Sequence, residues 1–494
     1  MSQRVRLAGI FLFSFVFIFS INIFYGIGLL TGDEMWAATS ALGNPLDSIV
    51  FTLRFDLHPP VYYSIIDIWA VISKSDLWLR TSSMVTHSAL VMSVYYIAGK
   101  LHGDKVAVTA SLLALVSPLL LEYSSQLRMY SLISLLSVWI FYYTCKINEE
   151  GFGNKRGFLL VSLELLLVFT HAIGILFVFF HFMYGVLLND PRNRRDFVFK
   201  WSLFHALVFC LSVPVILNSW MRSVEHAIAP DLGNILNTIA MINIRMFGVG
   251  PVVSFAISIA VLLGLLYFRK TRVLAFCYIV LPIIIFSLIS YTVKPLWLVR
   301  NFSFAIPMIA IAQSIALHNI FDLVKRGKIF LYVCLAIIMS GHLSVYFQYV
   351  SNKKDGPEFS RLSSYLKNAT ENHKKTCVVS TNTLHTFWAL LRYNVAVEWG
   401  HPLIIQPPLT DKWKKIISKI PSGLIQSLHL MPVQNYYEGK NLIIASGWSE
   451  RCRADDVDQV FIVDDHNMID KIDIKSSRVE TFGPYTVYQA INRK

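Results

Sequence analysis

Charged residues are scarce in this chain of 494 residues. They make up 15% of the sequence, whereas soluble globular proteins carry roughly 25%. Hydrophobic residues make up 55% and the mean hydropathy is +0.53, so the chain has too little polar surface to be solvated in water along its whole length. The composition argues against a cytosolic enzyme, a disordered regulator and a disulfide-rich secreted module. It predicts a polytopic α-helical membrane protein.

Patterns that would indicate other partners or cofactors are also missing. No C-x-x-C pair occurs among the six cysteines, so a zinc or redox motif has no support. No glycine-rich phosphate loop of the Walker type occurs, so neither ATP nor a nucleotide sugar is indicated. The net charge of +13 does not indicate nucleic acid, because the cations lie between hydrophobic runs rather than along a soluble face.

Apolar runs of a length that crosses a bilayer, about 20 residues, are the dominant feature of the first 350 residues. The first run is too long for a signal-peptide core and has no small-residue cleavage site, so we interpret it as an anchor. We count eleven runs, near residues 7–30, 78–98, 106–121, 129–147, 158–170, 172–189, 198–217, 250–268, 273–291, 302–320 and 328–349.

The distribution of Lys and Arg predicts the orientation of these runs. With the N-terminus in the cytoplasm, the cytoplasmic segments hold seventeen Lys and Arg residues and the opposite segments hold eight. This asymmetry satisfies the positive-inside rule. An odd number of spans then places the C-terminal segment on the extracytoplasmic side.

Residues 351–494 differ in composition from the rest of the chain, since they hold 19 of the 44 cations and 15 of the 31 acids. We therefore predict two domains, a transmembrane domain at 1–350 with a first external loop at 31–77, and a small soluble α/β domain at 351–494. Cys377 and Cys452 are equally consistent with a disulfide and with two separate thiols. The predicted elements of this domain are helices Glu358–Lys367 and Thr383–Arg392 and strands Thr376–Ser380, Leu442–Ala445 and Gln459–Val463.

Carboxylates in the first external loop are the first candidates for chemistry. Asp33 and Glu34 follow the first span directly, and Asp56 comes two residues before His58, which begins a rigid His-Pro-Pro turn. A solvated interfacial carboxylate would explain Glu34 alone. Asp33 and Asp56 converging on one cavity would suit a general base and a partner that orients the base or the substrate.

Basic and aromatic side chains recur on the same predicted side of the membrane. Arg128 and Tyr130 lie in a second external loop at Glu122–Ser131, and Lys294 and Arg300 precede the tenth run. Each cation alone is equally consistent with snorkelling to lipid head groups and with binding a phosphate. Together with His58 and the two acids, they predict a shared site for an anionic ligand.

Two further polar residues lie in or beside the fifth run. Glu164 lies inside it, and His171 follows seven residues later on the same helical face. An acid at that depth is a functional candidate, and a Glu that pairs within the helix bundle is an equally good interpretation. His171, at the outer end of a short span, is placed where it could reach the same cavity as Asp33.

Taken together, these motifs resemble the GT-C glycosyltransferases. They are Asp-Glu after the first span, Asp-Leu-His-Pro-Pro, Ser-x-x-x-Arg-x-Tyr, Thr-His at the end of a short span, and Arg-Asn-Phe before a late span. Within that group the sequence is similar to family 39 and its relatives, the protein O-mannosyltransferases and the lipid A aminoarabinose transferases, over roughly residues 1–350. The C-terminal α/β segment argues against a protein O-mannosyltransferase proper.

The resemblance implies an integral-membrane hexosyl- or pentosyltransferase. Such an enzyme moves a sugar from a polyprenyl-phosphate donor to a lipid, glycan or protein acceptor on the extracytoplasmic face, with inversion, and the resemblance favours a bacterial inner membrane. By this analogy Asp33 is the general base, and Glu34 and Asp56 position donor and acceptor. The residues leave open whether a divalent cation takes part, and no other cofactor is indicated. The implied substrate-binding residues are His58, Arg128, Tyr130, His171, Lys294 and Arg300.

Two other functions are consistent with the same composition. A transporter or flippase for lipid-linked sugars would share the spans and the cationic cavity, but it would be expected to show internal repeats and matched broken helices. We find no repeat in the sequence. A membrane-anchored binding protein would instead use the C-terminal domain as its working part.

Overall fold

The computed structural model describes residues 2–24, 58–189, 194–222, 269–292, 298–322 and 327–352, isolated positions between 30 and 53 and between 361 and 368, and six C-terminal strands. The chain divides into two compact units. The first unit contains Met1–Tyr25, Asp56–Tyr62 and Arg80–Val350, and the second contains Gly26–Phe55, Tyr63–Leu79 and Ser351–Lys494.

Helices occupy nearly all of the described chain up to residue 352. Six helical segments are long and apolar enough to cross a membrane, and a bent pair would add a seventh. The described α-helices are α1 (Gln3–Phe24), α2 (Val61–Ala70), α3 (Asp76–His102), α4 (Asp104–Val116), α5 (Pro118–Ser124), α6 (Tyr130–Glu150), α7 (Asn154–Thr170), α8 (Gly174–Leu188), α9 (Arg194–Arg222), α10 (Arg269–Ala275), α11 (Leu281–Thr292), α12 (Ile306–Asp322) and α13 (Gly327–Asn352). A π-helix at Phe276–Val280 joins α10 to α11, and a 3₁₀-helix at Val299–Ala305 leads into α12.

Ten of the eleven apolar runs coincide with described helices, and the run at 250–268 lies outside the described residues. The protein is therefore a polytopic helical membrane protein, while the number of spans stays a prediction. The run at 106–121 is not one straight span: α4 and α5 differ in direction by 60°. The cause is Pro118, which lacks an N–H donor and pushes Ser117 into an extended conformation (ψ 123°).

The segment before Arg128 also differs from the prediction of an external polar loop. Residues Pro118–Ser124 form α5, and every side chain in it, including Glu122, is buried. Proline is favoured at the first position of a helix, because the missing donor would be unpaired there in any case. The loop is thus confined to the few residues between Ser124 and Tyr130.

Aromatic packing fixes the 3₁₀-helix within the first unit. The ring of Phe304 stacks on Phe177 of α8 with the centroids 3.8 Å apart, and it lies 5.6 Å from Phe180. Phe302 lies 5.1 Å from Phe286 of α11. Aromatic pairs in these arrangements contribute beyond their buried area, so the 3₁₀-helix is held firmly against α8 and α11.

The second unit contains a six-stranded sheet formed by β1 (Thr376–Ser380), β2 (Glu398–Trp399), β3 (Leu442–Ala445), β4 (Gln459–Asp465), β5 (Ser476–Phe482) and β6 (Tyr485–Ala490). The strand order is β2-β3-β1-β4-β6-β5. The first four strands in this order are parallel, while β6 and β5 pair antiparallel at the other edge.

Three of these strands coincide with predicted ones, namely β1, β3 and the first part of β4. The remaining predictions for this segment, the helix Thr383–Arg392, most of the helix Glu358–Lys367 and the pairing of Cys377 with Cys452, lie outside the described residues.

Candidate functional site

Four of the nine candidate site residues converge at one end of the first unit. They are His58, Arg128, Tyr130 and His171, and each contacts or neighbours the next through its ring or guanidinium group. Arg300 lies on an element that packs nearby, and Glu34 is a buried residue of the second unit. The other three candidates, Asp33, Asp56 and Lys294, lie outside the described residues.

The two histidines form the centre of this cluster. His58 and His171 are 113 positions apart in the sequence, yet their rings meet edge to face with the centroids 5.2 Å apart. Pro59 and Pro60 are buried directly after His58. Two consecutive prolines fix φ at both positions, so the backbone that presents His58 is rigid.

A tight turn between α7 and α8 presents His171. The helix α7 ends at Thr170, His171 is extended (φ −153°), and its carbonyl oxygen accepts a hydrogen bond of 2.7 Å from the Gly174 N–H. A Cβ atom at Gly174 would lie 2.8 Å from the Leu167 carbonyl oxygen. Only glycine lets the chain return this closely to α7, so the Thr-His motif depends on the glycine three positions after the histidine.

The turn also determines which nitrogen of His171 carries a proton. The backbone N–H of Ile173 donates a hydrogen bond of 3.2 Å to His171 Nδ1. An acceptor nitrogen in a neutral imidazole is unprotonated, so the proton resides on Nε2. His171 therefore presents Nε2–H as a donor from a side chain that is only 6% exposed.

An aromatic platform connects His171 to Arg128. The ring of Tyr130 lies 6.2 Å from His171 and 4.4 Å from Tyr123. The guanidinium carbon of Arg128 lies 6.0 Å from the centre of the Tyr130 ring, within the range of a cation–π contact. Arg128 is only 5% exposed. A buried guanidinium beside an aromatic ring points to a built site rather than to snorkelling at a lipid surface.

The 3₁₀-helix that carries Arg300 is hydrogen-bonded to α6, the helix that begins with Tyr130. The Ser134 hydroxyl lies 2.9 Å from the carbonyl oxygens of both Tyr130 and Ser303. Ser134 is one turn along α6 from Tyr130, and Ser303 is one turn along the 3₁₀-helix from Arg300. This bridge packs the 3₁₀-helix on the first turns of α6, and the Arg300 side chain is half-buried.

Two polar pairs lie within the spans, and the sequence did not predict which residues form them. Glu164 lies 3.0 Å from His205 of α9, which identifies Glu164 as a partner within the bundle and favours the second of its two interpretations. Tyr346 of α13 donates a hydrogen bond of 3.1 Å to Asn22 of α1. The signal for both was a polar residue inside an apolar run, but the sequence does not indicate which helix supplies the partner.

The described cluster is suited to binding an anion. It combines a buried guanidinium, an N–H donor on His171 Nε2 and apolar aromatic walls that lower the local dielectric constant. Within the described residues no group of three His, Cys, Asp or Glu side chains is placed to hold a metal ion.

Comparison with solved structures identifies proteins of the same fold. No family model matches the sequence, and no curated protein matches it either. ArnT from Cupriavidus metallidurans in the apo state superposes with a TM-score of 0.63 at 9% identity, covering 99% of this chain and 98% of that one. The same protein bound to undecaprenyl phosphate gives 0.56 at 10% identity, covering 98% and 97%.

An archaeal protein gives a similar result. The oligosaccharyltransferase AglB from Archaeoglobus fulgidus, in complex with an inhibitory peptide and a dolichol-phosphate, superposes with a TM-score of 0.56 at 9% identity. The match covers 94% of this chain and 70% of that one. The chain therefore has the fold of the GT-C membrane proteins, as its motifs predict.

Proposed function

We propose that this GT-C protein is an integral-membrane glycosyltransferase that takes a sugar from a polyprenyl-phosphate donor and transfers it to an acceptor on the extracytoplasmic face. One observation carries the proposal: His58, His171, Tyr130 and the buried Arg128 form a single cluster whose composition is suited to binding an anion. Two proteins of the same fold bind polyprenyl phosphates, namely ArnT with undecaprenyl phosphate and AglB with a dolichol-phosphate.

The chemistry requires a stabilised leaving group and a base. The acceptor hydroxyl oxygen attacks the anomeric carbon, the bond from that carbon to the phosphate oxygen breaks, and polyprenyl phosphate leaves with the electron pair. In our proposal Arg128, Arg300, Lys294 and His58 neutralise the charge that grows on the phosphate, so no general acid is needed. A single in-line displacement inverts the anomeric centre.

The described geometry adds a role for His171. Its Nε2–H can donate a hydrogen bond to a phosphate oxygen or to a sugar hydroxyl at the aromatic wall formed by Tyr130. The proton of the acceptor hydroxyl passes to a carboxylate, which we propose is Asp33, with Glu34 and Asp56 positioning the substrates. Residues 351–494 would form the extracytoplasmic domain, and the enzyme would lie in a bacterial inner membrane with its N-terminus in the cytoplasm.

The test uses the purified full-length protein in lipid bilayers. A panel of radiolabelled polyprenyl-phosphate sugars is supplied together with membrane extract as the source of acceptor. We expect one donor to lose its label to an acceptor fraction while an equal amount of polyprenyl phosphate is released. If the label crosses the bilayer and stays attached to its lipid, the protein is a flippase and the proposal fails.

A transporter remains the second candidate because one span is broken, at the bend of 60° between α4 and α5. Transporters of the inverted-repeat type pair such breaks across two halves. Within the described residues only this one bent pair occurs, which favours the transferase.

A further inference from the structure

The helix α2 carries an exposed apolar face. Ile65 and Ile68 lie on this face, and Val71 and Ile72 extend it into the tight turn that follows the helix. Ile68, Val71 and Ile72 are 62%, 73% and 71% exposed, whereas Asp67, the one charged residue of α2, is fully buried. A surface helix in water exposes its charged residues and buries its branched aliphatic ones. In α2 the charge is buried and the aliphatic side chains are exposed, so water is a poor environment for this face.

Two tryptophans hold the end of α2 beside the first turn of α3. The indole N–H of Trp69 donates to the Trp78 carbonyl oxygen over 3.0 Å, and the indole N–H of Trp78 donates to the Trp69 carbonyl oxygen over 2.9 Å. The two rings stack with their centroids 5.3 Å apart. Because each tryptophan bonds to the backbone of the other, the turn between the helices is closed at both ends.

The place of this turn in the chain puts the apolar face at a membrane boundary. Trp78 is both the third residue of α3 and the first residue of the apolar run 78–98, which we predict to cross the bilayer. Tryptophan is enriched where a span meets the interface, because its ring is apolar and its N–H is polar. Leu77, in the same turn of α3, is also exposed. Apolar side chains are therefore exposed on both sides of the tryptophan pair.

The chemistry of the face favours lipid as its occupant. Its side chains are Ile, Val and Leu, which offer neither charge nor hydrogen bonds. Interfaces between proteins instead are enriched in aromatic residues and Arg and carry about ten hydrogen bonds. A helix that buries an apolar face among head groups and upper acyl chains needs no directional contacts. A bilayer is also present at this position at all times, since the span begins at the same turn.

We propose that α2 and the turn after it form an interfacial anchor, in which Ile65, Ile68, Val71, Ile72 and Leu77 lie in the extracytoplasmic leaflet at the level of the head groups and upper acyl chains. The end of the predicted external loop 31–77 is then seated in the membrane surface. This proposal is independent of the proposed transfer reaction, because it uses only the exposed face and its position beside a span.

Photocrosslinking of the full-length protein identifies what contacts the face. The photoreactive residue p-benzoylphenylalanine replaces Ile68, Leu12 or Lys155, and each protein is reconstituted into vesicles of phosphatidylethanolamine and phosphatidylglycerol. Leu12 is exposed within α1 and represents a lipid-facing position, and Lys155 is exposed at the start of α7 and represents a position in water. Mass spectrometry identifies the adducts. We expect phospholipid adducts at position 68 at a yield at least about tenfold above that at position 155, the factor by which one aliphatic side chain favours an apolar environment.

A charged substitution tests whether the apolar face itself holds α2 in the lipid. The photoreactive residue is placed at position 72, and Ile68→Asp is compared with the matched variant Ile68→Leu. Ile68→Asp places a carboxylate one turn away on the same face and should lower the phospholipid adduct at position 72 by about tenfold or more, whereas Ile68→Leu should leave it unchanged. With the photoreactive residue at position 12, neither variant should lower the yield, which shows that the spans remain inserted.

Three results would each overturn the proposal. A yield at position 68 no higher than at position 155 would show that the face lies in water. A crosslink between two protein chains at position 68 would show that a second copy covers it. An unchanged yield at position 72 in Ile68→Asp would show that the apolar face does not hold α2 at the membrane. None of these measurements uses transfer activity, so the failure of this proposal and the failure of the proposed function are distinguishable.

Discussion

At the scale of single residues, the candidate site depends on side chains whose polar atoms have fixed directions. The clearest case is His171, whose Nδ1 accepts the Ile173 N–H and whose Nε2 therefore carries the proton. Asparagine can accept that backbone hydrogen bond but ends short of the Nε2 position, whereas glutamine extends an N–H donor close to it. This difference separates the structural role of the imidazole from its role as a donor to substrate.

We predict that His171→Gln retains more transfer activity than His171→Asn, by about tenfold or more, at similar thermal stability. The reason is that one hydrogen bond to a charged phosphate or a transition state is worth roughly 1.5–3 kcal/mol. Steady-state rates with the donor identified by the panel, together with melting temperatures, check this. Equal rates for the two variants would leave His171 with a purely structural role.

The proposed base, Asp33, gives a sharper test. We expect Asp33→Asn to lower the rate of transfer by roughly 10²–10⁴-fold, the range for loss of a general base, without loss of expression or of donor binding. Asp196→Asn is a suitable control, because Asp196 is an exposed carboxylate in the first turn of α9. Near-normal transfer by the Asp33 variant would remove this residue from the mechanism.

A cation that binds the donor should affect donor and acceptor differently. Arg300→Ala is expected to raise the KM for the lipid donor by about tenfold or more, since a charge-assisted hydrogen bond is lost, while the KM for the acceptor changes little. Arg156→Ala, which removes a cation paired with Glu150 at the opposite end of α6, should change neither. If the KM for the lipid donor is unchanged, Arg300 does not bind the donor, and its side chain only extends to the lipid head groups.

At the scale of elements, the turn between α7 and α8 is the feature on which the site most depends. We predict that Gly174→Ala destabilises the protein by roughly 1–3 kcal/mol, a typical cost of overpacking, because the new Cβ would lie 2.8 Å from the Leu167 carbonyl. We expect the rate of transfer to fall as well, because the substitution displaces the turn that presents His171. Gly9→Ala is the control: no atom lies within 4 Å of its Cβ position, and unchanged stability of both variants would refute the argument.

Elements also show which features of the fold were predictable from sequence. Ten apolar runs located described helices, because a bilayer imposes a minimum length of apolar residues. The Ser117-Pro118 pair marks this break in the sequence. A hydropathy value averaged over a whole span hides the effect of a single proline. The pairing of Glu164 with His205, 41 positions away, depends on how α7 and α9 pack, and no local pattern encodes that choice.

The candidate site also combines features that local sequence predicts with features that depend on packing between distant segments. The rigid His-Pro-Pro turn and the Arg-x-Tyr motif were recognisable as local patterns, and their grouping rested on a predicted topology and on a resemblance. The edge-to-face contact of His58 with His171 depends on the Gly174 turn and on packing between distant segments. For Asp33, Asp56 and Lys294, the sequence remains the basis of the proposal.

At the scale of the whole molecule, the residues that we propose to bind the donor and the residue that we propose as the base belong to different units. His58, Arg128, Tyr130, His171 and Arg300 belong to the first unit, whereas the sequence segment with Asp33 and Glu34 belongs with residues 351–494 to the second. A chain that ends at Val350 therefore keeps the cluster that we propose binds the donor phosphate but removes most of the unit to which the proposed base belongs.

We predict that this truncated protein still binds polyprenyl phosphate, with a Kd within about threefold of the full chain, but loses more than about 99% of transfer, as expected when a general base is no longer held in place. Native mass spectrometry and label transfer measure the two properties. A full-length chain with a protease site after Asn352, cleaved only after folding, is the control and should stay active. Full transfer by the truncated chain would show that the first unit and the first external loop suffice, whereas loss of donor binding would show that the described cluster is not a donor site.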